Sequence, residues 1–178
     1  MDPQQHVRQV YAASAARLVA QMYAMTGDYA EAQDVVQEAF VRALARPARF
    51  REVTNPEAWL RTVALNVARS RHRRRVLLHG LVRSGRLDPA RPSAPDLTPD
   101  HVALVAALQR LPRQARETVV LHHLADLPVT EVATALGCSV EAVKTRLVRA
   151  RRALADHLGD DDPARPAPAR PRREAHHA

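Results

Sequence analysis

The stretch "VATALGCSVEAVKTRLVRARR", Val132 to Arg152, decides how the second half of this chain folds. From Val140 onward its apolar residues recur at intervals of three and four, the spacing of one stripe along an α-helix. A shorter helical pattern ends before Gly137, and glycine permits a turn conformation that a side chain would oppose. Ala133 is small enough for two helices to approach closely, and Val143 would pack the second helix onto the first. This spacing predicts a helix-turn-helix.

The other sides of the second helix are basic, and Ser139 is a good N-cap for it. A basic amphipathic helix can be merely solvated. Here, however, it occurs together with the small Ala133, the turn glycine Gly137 and the apolar Val143, which would pack the two helices together. The combination favours DNA binding, with Thr145, Glu141 and Arg149 able to reach base edges in the major groove. Cationic side chains would neutralise phosphates. They are Lys144, Arg146, Arg149, Arg151 and Arg152.

Composition agrees with an anionic partner. The 178 residues are 46% hydrophobic and carry a formal net charge of +8, which suits nucleic acid, an acidic membrane surface or an acidic protein. The single cysteine, Cys138, excludes an internal disulfide and a multi-cysteine metal site and favours a reducing cytoplasm. We find no signal peptide pattern, no apolar window approaching ~18 residues for membrane insertion and no motif for catalysis, a metal or a cofactor. We expect a cytoplasmic protein that is not an enzyme and has no small-molecule substrate.

Helix-compatible residues dominate the sequence and strand patterns are almost absent, so we predict an all-α fold. Two breaks in composition divide it. Residues 77–99 are rich in proline and polar residues and predict a flexible linker, whereas residues 159–178 mix acidic, proline-rich and basic blocks and predict a disordered tail. Two small helical domains remain, at residues 4–76 and 100–158. We call them the N-terminal and C-terminal modules.

The helix boundaries follow from apolar periodicity and from capping residues. Asn55 can cap the third helix, and Pro56 suits its first position. Pro128 and Gly137 separate the helices of the C-terminal module. The predicted helices are Gln4–Met25, Tyr29–Ala45, Pro56–Arg75, Asp100–Arg110, Pro112–Leu124, Val129–Leu136 and Ser139–Leu158.

The N-terminal module carries charge of both signs. Glu31, Asp34 and Glu38 share one side of the second predicted helix, which would be either an ordinary solvated surface or a site for docking another protein. From these residues alone the two interpretations are equally good. The third predicted helix, "NPEAWLRTVALNVARSRHRRR", places Trp59 and Asn66 on one side and ends in a strongly basic run. That run is a second candidate nucleic-acid surface.

This combination resembles the extracytoplasmic-function group of bacterial RNA polymerase sigma factors, in the sigma-70 family, across nearly all of Val7 to Leu158. "AEAQDVVQEAFVRAL" is similar to the family's polymerase-clamp-binding helix and "PEAWLRTVALNVARSRHRR" to its −10 element region. "LPRQARETVVLHHLADLPVTEVATALGCSVEAVKTRLVRARRAL" is similar to its −35 element domain. All three segments occur in the family's order and spacing.

The resemblance implies a transcription initiation factor that binds core RNA polymerase through the β′ clamp helices and the β flap, recognises promoter DNA and assists its opening. An anti-sigma factor is a further implied partner. Asp34, Gln37 and Glu38 would dock on the clamp. Trp59 and Asn66 would meet an extruded −10 base, with Arg61 and Arg69 toward the DNA backbone. The matching −35 positions are Lys144, Thr145, Arg146, Val148 and Arg149.

The sequence departs from the family pattern before Trp59, where the segment "RFREVTNPEA" offers only Phe50 as an aromatic residue. It therefore does not identify the loop residues that capture the base. The spacing of the modules fits promoter elements: the 22 residues from Leu77 to Thr98 can extend to about 70 Å. One and a half turns of DNA measure roughly 50 Å.

Two other classes of protein compete with this interpretation. A two-domain helix-turn-helix regulator would bind DNA without replacing sigma, as a dimer on a palindromic operator. A basic RNA-binding or ribosome-associated protein would show no sequence-specific promoter binding. Binding to purified core polymerase separates these classes.

Overall fold

The computed structural model describes residues 2–81 and 98–160, and within them it contains helices and no strands. The predicted all-α fold is confirmed for these residues. The helices of the N-terminal module are α1 (Pro3–Thr26), α2 (Tyr29–Ala45), α3 (Pro47–Arg51) and α4 (Pro56–Leu81). Those of the C-terminal module are α5 (Pro99–Arg110), α6 (Arg113–Val119), a π-helical turn (Val120–Leu124), α7 (Val129–Leu136) and α8 (Val140–Asp160).

Side-chain caps explain where three of these helices begin. Asp28 accepts a hydrogen bond from the Glu31 N–H at 3.0 Å, and Asn55 accepts one from the Ala58 N–H at 3.0 Å. The Ser139 hydroxyl accepts one from the Ala142 N–H at 3.2 Å. Each cap satisfies a backbone donor that the first helical turn leaves without a partner, which stabilises a helix by about 1 kcal/mol. The predicted roles of Asn55 and Ser139 as caps are confirmed.

The N-terminal module is a bundle in which α1 packs against α2, α3 and α4. Leu18 and Met22 of α1 are fully buried and belong to the same core cluster as Val35 on α2 and Leu60 on α4, which are equally buried. Burial of each such side chain contributes about 1.5–3 kcal/mol. The core therefore fixes the directions of α2 and α4, whose outer faces carry the charged residues.

The C-terminal module contains the predicted helix-turn-helix. Gly137 adopts a left-handed conformation with φ of 65°, and the Cys138 N–H donates to the Ala133 carbonyl at 3.0 Å to close the end of α7. Val143 is fully buried, and Ala133 is buried where α7 and α8 meet. The spacing of Ala133, Gly137 and Val143 in the sequence thus predicted this packing correctly.

Several boundaries differ from those predicted. Helix α4 continues to Leu81, past the predicted end at Arg75. It therefore includes residues 77–81, which the sequence predicted to be the start of the linker. The short α3 was not foreseen, and the predicted helix Pro112–Leu124 changes at Val120 into a π-helical turn closed by a 3.0 Å bond from the Ala125 N–H to the Val120 carbonyl. Most of the predicted linker, residues 82–97, and of the predicted tail, residues 161–178, lies outside the described residues.

The two modules pack directly against each other, which the sequence analysis did not predict. Helix α1 contacts α5, α6 and the π-helical turn, and the buried residues form one cluster that runs through both modules. The Gln109 side-chain amide donates to the Ala24 carbonyl at 3.1 Å, and the Gln21 amide donates to the Leu124 carbonyl at 3.5 Å. We call this arrangement the closed form.

Among residues 2–81 and 98–160, none of the helices has both the length and the apolar character needed to span a membrane.

Candidate nucleic-acid interface and acidic docking face

Helix α8 presents the face on which the −35 contacts were predicted. Its apolar stripe turns inward, with Val143, Leu147 and Ala150 buried. Because the side chains between these positions point the other way, the opposite face lies in solvent. Lys144, Thr145, Val148 and Arg149 are all exposed on it.

Two features of this face affect how it could meet DNA. The Lys144 ammonium lies 2.8 Å from the Glu141 carboxylate in a pair whose side chains are 58% and 79% exposed. Solvent screens such a pair, so the lysine can exchange its partner for a phosphate at little cost. Arg146 differs, since it is half-buried and its guanidinium donates to Gln114 Oε1 at 3.0 Å and contacts Cys138 Sγ at 3.4 Å. These contacts tie Arg146 to α6 and to the turn before α8.

The four residues predicted for the −10 element all lie on α4 but in different environments. Asn66 is exposed, whereas Trp59 is partly buried with its ring against Phe50 at a centroid distance of 5.3 Å. Seven residues separate Trp59 from Asn66, which corresponds to about 10 Å along the helix. A single base therefore cannot both stack on Trp59 and be held at its edge by Asn66. The two residues could contact different nucleotides of a strand that runs along α4.

Arg61 and Arg69 are both engaged inside the protein. Arg61 is buried, and its guanidinium donates to Gln21 Oε1 at 2.9 Å and to Glu57 Oε1 at 3.2 Å. Burial lowers the pKa of Arg61, an effect that the charge of Glu57 partly offsets. Arg69 reaches across to the C-terminal module, where Glu117 Oε2 lies 2.7 Å from one of its terminal nitrogens. In the closed form neither arginine is on a free surface.

A cavity of about 300 Å³ opens beside Trp59, and the sequence analysis missed most of its lining. Three arginines line it, because α3 follows α2 directly and packs against it. Arg42 lies on α2, Arg46 joins the two helices, and Arg49 lies on α3. Pro47 interrupts this run of arginines, so no single helical periodicity connects them. The lining comprises Arg42, Ala43, Arg46, Arg49, Phe50, Val53 and Trp59.

The acidic face of α2 is paired with the basic end of α4. Asp34 and Glu38 contact the Arg71 guanidinium at 3.5 and 3.1 Å, and Glu38 also lies 2.6 Å from Arg42. The Arg75 guanidinium bonds to Glu31 at 2.7 Å, and this hydrogen bond raises the pKa of Arg75 despite partial burial. Gln37 is exposed among them. The structure therefore brings Asp34, Gln37 and Glu38 together on one solvent-facing surface.

Comparison with known families accounts for both modules. The model of the family "Sigma-70 region 2" matches residues 10–76, and that of "Sigma-70, region 4" matches residues 101–154. The chain is 33% identical over 153 residues to the ECF RNA polymerase sigma factor EcfG of Rhodopseudomonas palustris, covering 79% of this chain and 83% of that protein. It is 32% identical over 152 residues to the ECF RNA polymerase sigma factor SigL of Mycobacterium tuberculosis, covering 83% and 86%.

Solved structures give the same result. The sigma factor RpoE in complex with the anti-sigma factor NepR, from Bartonella quintana, matches with a TM-score of 0.66 at 26% identity and covers 89% of this chain and 97% of that one. CnrH in complex with the cytosolic domain of CnrY matches with a TM-score of 0.62 at 27% identity, covering 89% and 90%. Since the matches span both modules, they disfavour the two-domain regulator. The chain belongs to the sigma-70 family of transcription initiation factors, within its group of ECF RNA polymerase sigma factors.

Proposed function

We propose that this sigma factor docks on core RNA polymerase through Asp34, Gln37 and Glu38, opens the −10 element on α4 and reads the −35 element with α8. The proposal is supported by the position of the two candidate nucleic-acid surfaces on different modules and by the exposure of the acidic face of α2 to solvent. The acidic face would repel DNA, so it suits a protein partner.

The cavity beside Trp59 supports a role in promoter opening. Its volume of about 300 Å³ lies at the lower end of the range for small-ligand pockets, so a single base is a suitable occupant. Trp59 is partly exposed and offers aromatic surface for stacking, worth about 1–3 kcal/mol per base. Phe50 is buried behind it and supports the Trp59 ring. Arg46 and Arg49 are exposed at its rim and could hold the flanking phosphates. We assign these residues to capture of the extruded −10 base, with Asn66 further along the strand.

The chemistry of α8 suits reading of a duplex. Arg149 has the fork of donors that binds guanine O6 and N7, and Val148, which is 67% exposed, can contact a thymine methyl group. Lys144 and Thr145 can bind phosphate oxygens or base edges. Arg146, held by Gln114, would approach the DNA backbone from the side.

We extend the proposal to regulation by an anti-sigma factor, acting in the cytoplasm. One similar solved structure contains the sigma factor RpoE in complex with the anti-sigma factor NepR, and another contains CnrH in complex with the cytosolic domain of CnrY. An anti-sigma factor bound across the two modules would compete with polymerase and DNA. In the closed form α4 and α6 are already in contact, so one partner could reach both modules at once.

The test is reconstitution. Purified core polymerase should bind the full chain and, with it, initiate specific transcripts from genomic DNA of the source organism; sequencing of their 5′ ends should reveal shared −10 and −35 motifs. Core polymerase alone is the control. A chain that binds a palindromic DNA site as a dimer but neither binds core polymerase nor supports initiation would contradict the proposal.

A further inference from the structure

The contact between Arg69 and Glu117 joins the two modules, and we call it the latch. Glu117 Oε1 accepts from Arg69 Nε at 3.3 Å and from Arg113 Nε at 2.8 Å, while Oε2 accepts from a terminal nitrogen of Arg69 at 2.7 Å. The Glu117 side chain is only 7% exposed. Because the pair is shielded from solvent, salt screens it much less than the surface pairs on α2 and α8.

The latch uses the donors through which Arg69 would bind DNA. A carboxylate offers two oxygens to the planar guanidinium fork, the same arrangement that a phosphate offers. Glu117 occupies two of the three nitrogens of Arg69 in this way. While the latch is closed, the edge of the Arg69 guanidinium that carries Nε is bound to Glu117, so that edge is not available to the backbone of an extruded strand.

In the closed form the two candidate DNA-binding surfaces are also closer together than the two promoter elements are. Helix α4 meets α6 at the latch, and α6 packs on α8. With neighbouring helix axes about 8–10 Å apart, the axes of α4 and α8 are roughly 20 Å apart near the latch. Trp59 lies a further distance of about 15 Å along α4 from Arg69. Elements one and a half turns apart on DNA are separated by roughly 50 Å. Promoter binding by both modules therefore requires that the latch opens.

We propose that Glu117 acts as an internal competitor for DNA phosphate, which keeps the free protein closed and binds Arg69 until polymerase holds the modules apart. The inference rests on the proposed function in one respect, the assignment of Arg69 to the −10 DNA backbone. Gln109 and Gln21 add the second and third polar contacts of the same interface. The lowered pKa of Glu117, which the charges of Arg69 and Arg113 maintain against the effect of burial, keeps the carboxylate ionised.

The experiment compares the full-length wild type with Glu117→Gln, which removes the charge while keeping the shape. Asp156→Asn, at an exposed carboxylate on α8, is the control for net charge. We expect Glu117→Gln to increase the radius of gyration in small-angle X-ray scattering. It should also bind a short, labelled single-stranded DNA of mixed sequence about tenfold more tightly than Asp156→Asn does. Equal radii and equal DNA affinities for the two variants would overturn the proposal.

A second variant covers the case in which Glu117→Gln fails to fold. Arg69→Gln breaks the latch from α4 and leaves the C-terminal module unchanged, so it too should increase the radius of gyration. The double variant should open no further than either single one, because both substitutions remove the same interaction. A compact Arg69→Gln protein, or additive opening, would contradict the latch. Core polymerase binding by the wild type is measured separately: its failure would reject the proposed function, whereas the scattering result tests the latch.

Discussion

Gly27 and Gln109 touch so closely that Gly27 has no room for a side chain. A Cβ added to Gly27 would lie 2.6 Å from Cδ of Gln109, and the glycine itself adopts a left-handed φ of 74° at the end of α1. Gln109 in turn bonds to the Ala24 carbonyl and to the Arg116 guanidinium. This one glycine thus serves both the end of a helix and the contact between the modules.

We predict that Gly27→Ala destabilises the protein and loosens the modules. The left-handed backbone should cost about 1–2 kcal/mol for any residue with a Cβ, and the clash with Gln109 adds to this. Gly137→Ala is the matched control, since Gly137 has a similar φ of 65° but nothing within 4 Å of an added Cβ. Calorimetry should show a larger loss for Gly27→Ala, and only that variant should increase the radius of gyration. Equal effects would contradict the role of the Gln109 contact.

Charge reversal of Asp34 and Glu38 to lysine should weaken binding of core polymerase by about tenfold or more, because it removes the acidic docking face. Circular dichroism checks that the helices persist. Arg71→Gln is the control: it removes the internal partner shared by both carboxylates and should leave core binding unchanged or tighter. If Arg71→Gln weakens binding as much as the reversal, the carboxylates act through their internal pairs and not by docking.

Arg149→Ala should remove a contact worth about 1–3 kcal/mol if this side chain reads a base. Holoenzyme should then bind promoter DNA more weakly in gel shifts, while strand opening, measured by permanganate reactivity of thymines, is intact once the complex has formed. Arg110→Ala, at an exposed arginine at the end of α5, should leave promoter binding unchanged. Equal losses for the two variants would indicate nonspecific charge attraction.

Asn66→Ala should have the opposite effect, because Asn66 is exposed on α4, which belongs to a different module from α8. Closed complexes should form normally. Open complexes should be depleted, because the extruded strand loses the Asn66 amide as a polar partner. A mismatch bubble over the −10 element removes the unpairing cost of a few kcal/mol, so it should partly rescue Asn66→Ala and not Arg149→Ala. An equal response of both variants to the bubble would contradict the assignment of promoter binding to α8 and of strand opening to α4.

The pH dependence of stability should report on Glu117. Its pKa is lowered, so its contribution to the free energy of unfolding is complete above the ordinary carboxyl value of about 4.3. That contribution is lost as the pH falls through the lower folded-state value. The stability advantage of the wild type over Glu117→Gln should therefore shrink only in acid. An advantage that grows toward low pH would have the wrong sign. The charged and titratable groups around this carboxylate and its cavity are Arg69, Arg113, Arg116, Arg75, Glu31 and His72.

Local sequence signals predicted much of this structure. The bounds of α2 and α7 agree with the periodicity and capping residues, and the helix-turn-helix followed from the spacing of Ala133, Gly137 and Val143. These elements are specified by residues close in sequence, which meet within one helix or across one short turn. The exposed positions of α8 could therefore be predicted, apart from Arg146, which is half-buried.

Contacts between distant residues could not be predicted in the same way. Arg69 and Glu117 are 48 positions apart, and Glu117 in the sequence looks like an ordinary solvated carboxylate on an amphipathic helix. The arginine-lined cavity depends on α3, a five-residue helix too short to give a periodic signal. The family resemblance implies that Arg61 lies toward the DNA backbone, whereas its burial depends on Gln21 of another helix. Its role at the −10 element stays a prediction.

Packing of the modules in the closed form has a consequence for how this protein shares the transcription machinery with other sigma factors. A ligand that binds one of two conformations sees its apparent affinity reduced by the fraction of molecules in that conformation. If about one molecule in a hundred is open, the chain competes for core polymerase as though it were about a hundredfold scarcer. The interface between α1, α5 and α6 would then set a threshold concentration below which rival factors keep the enzyme.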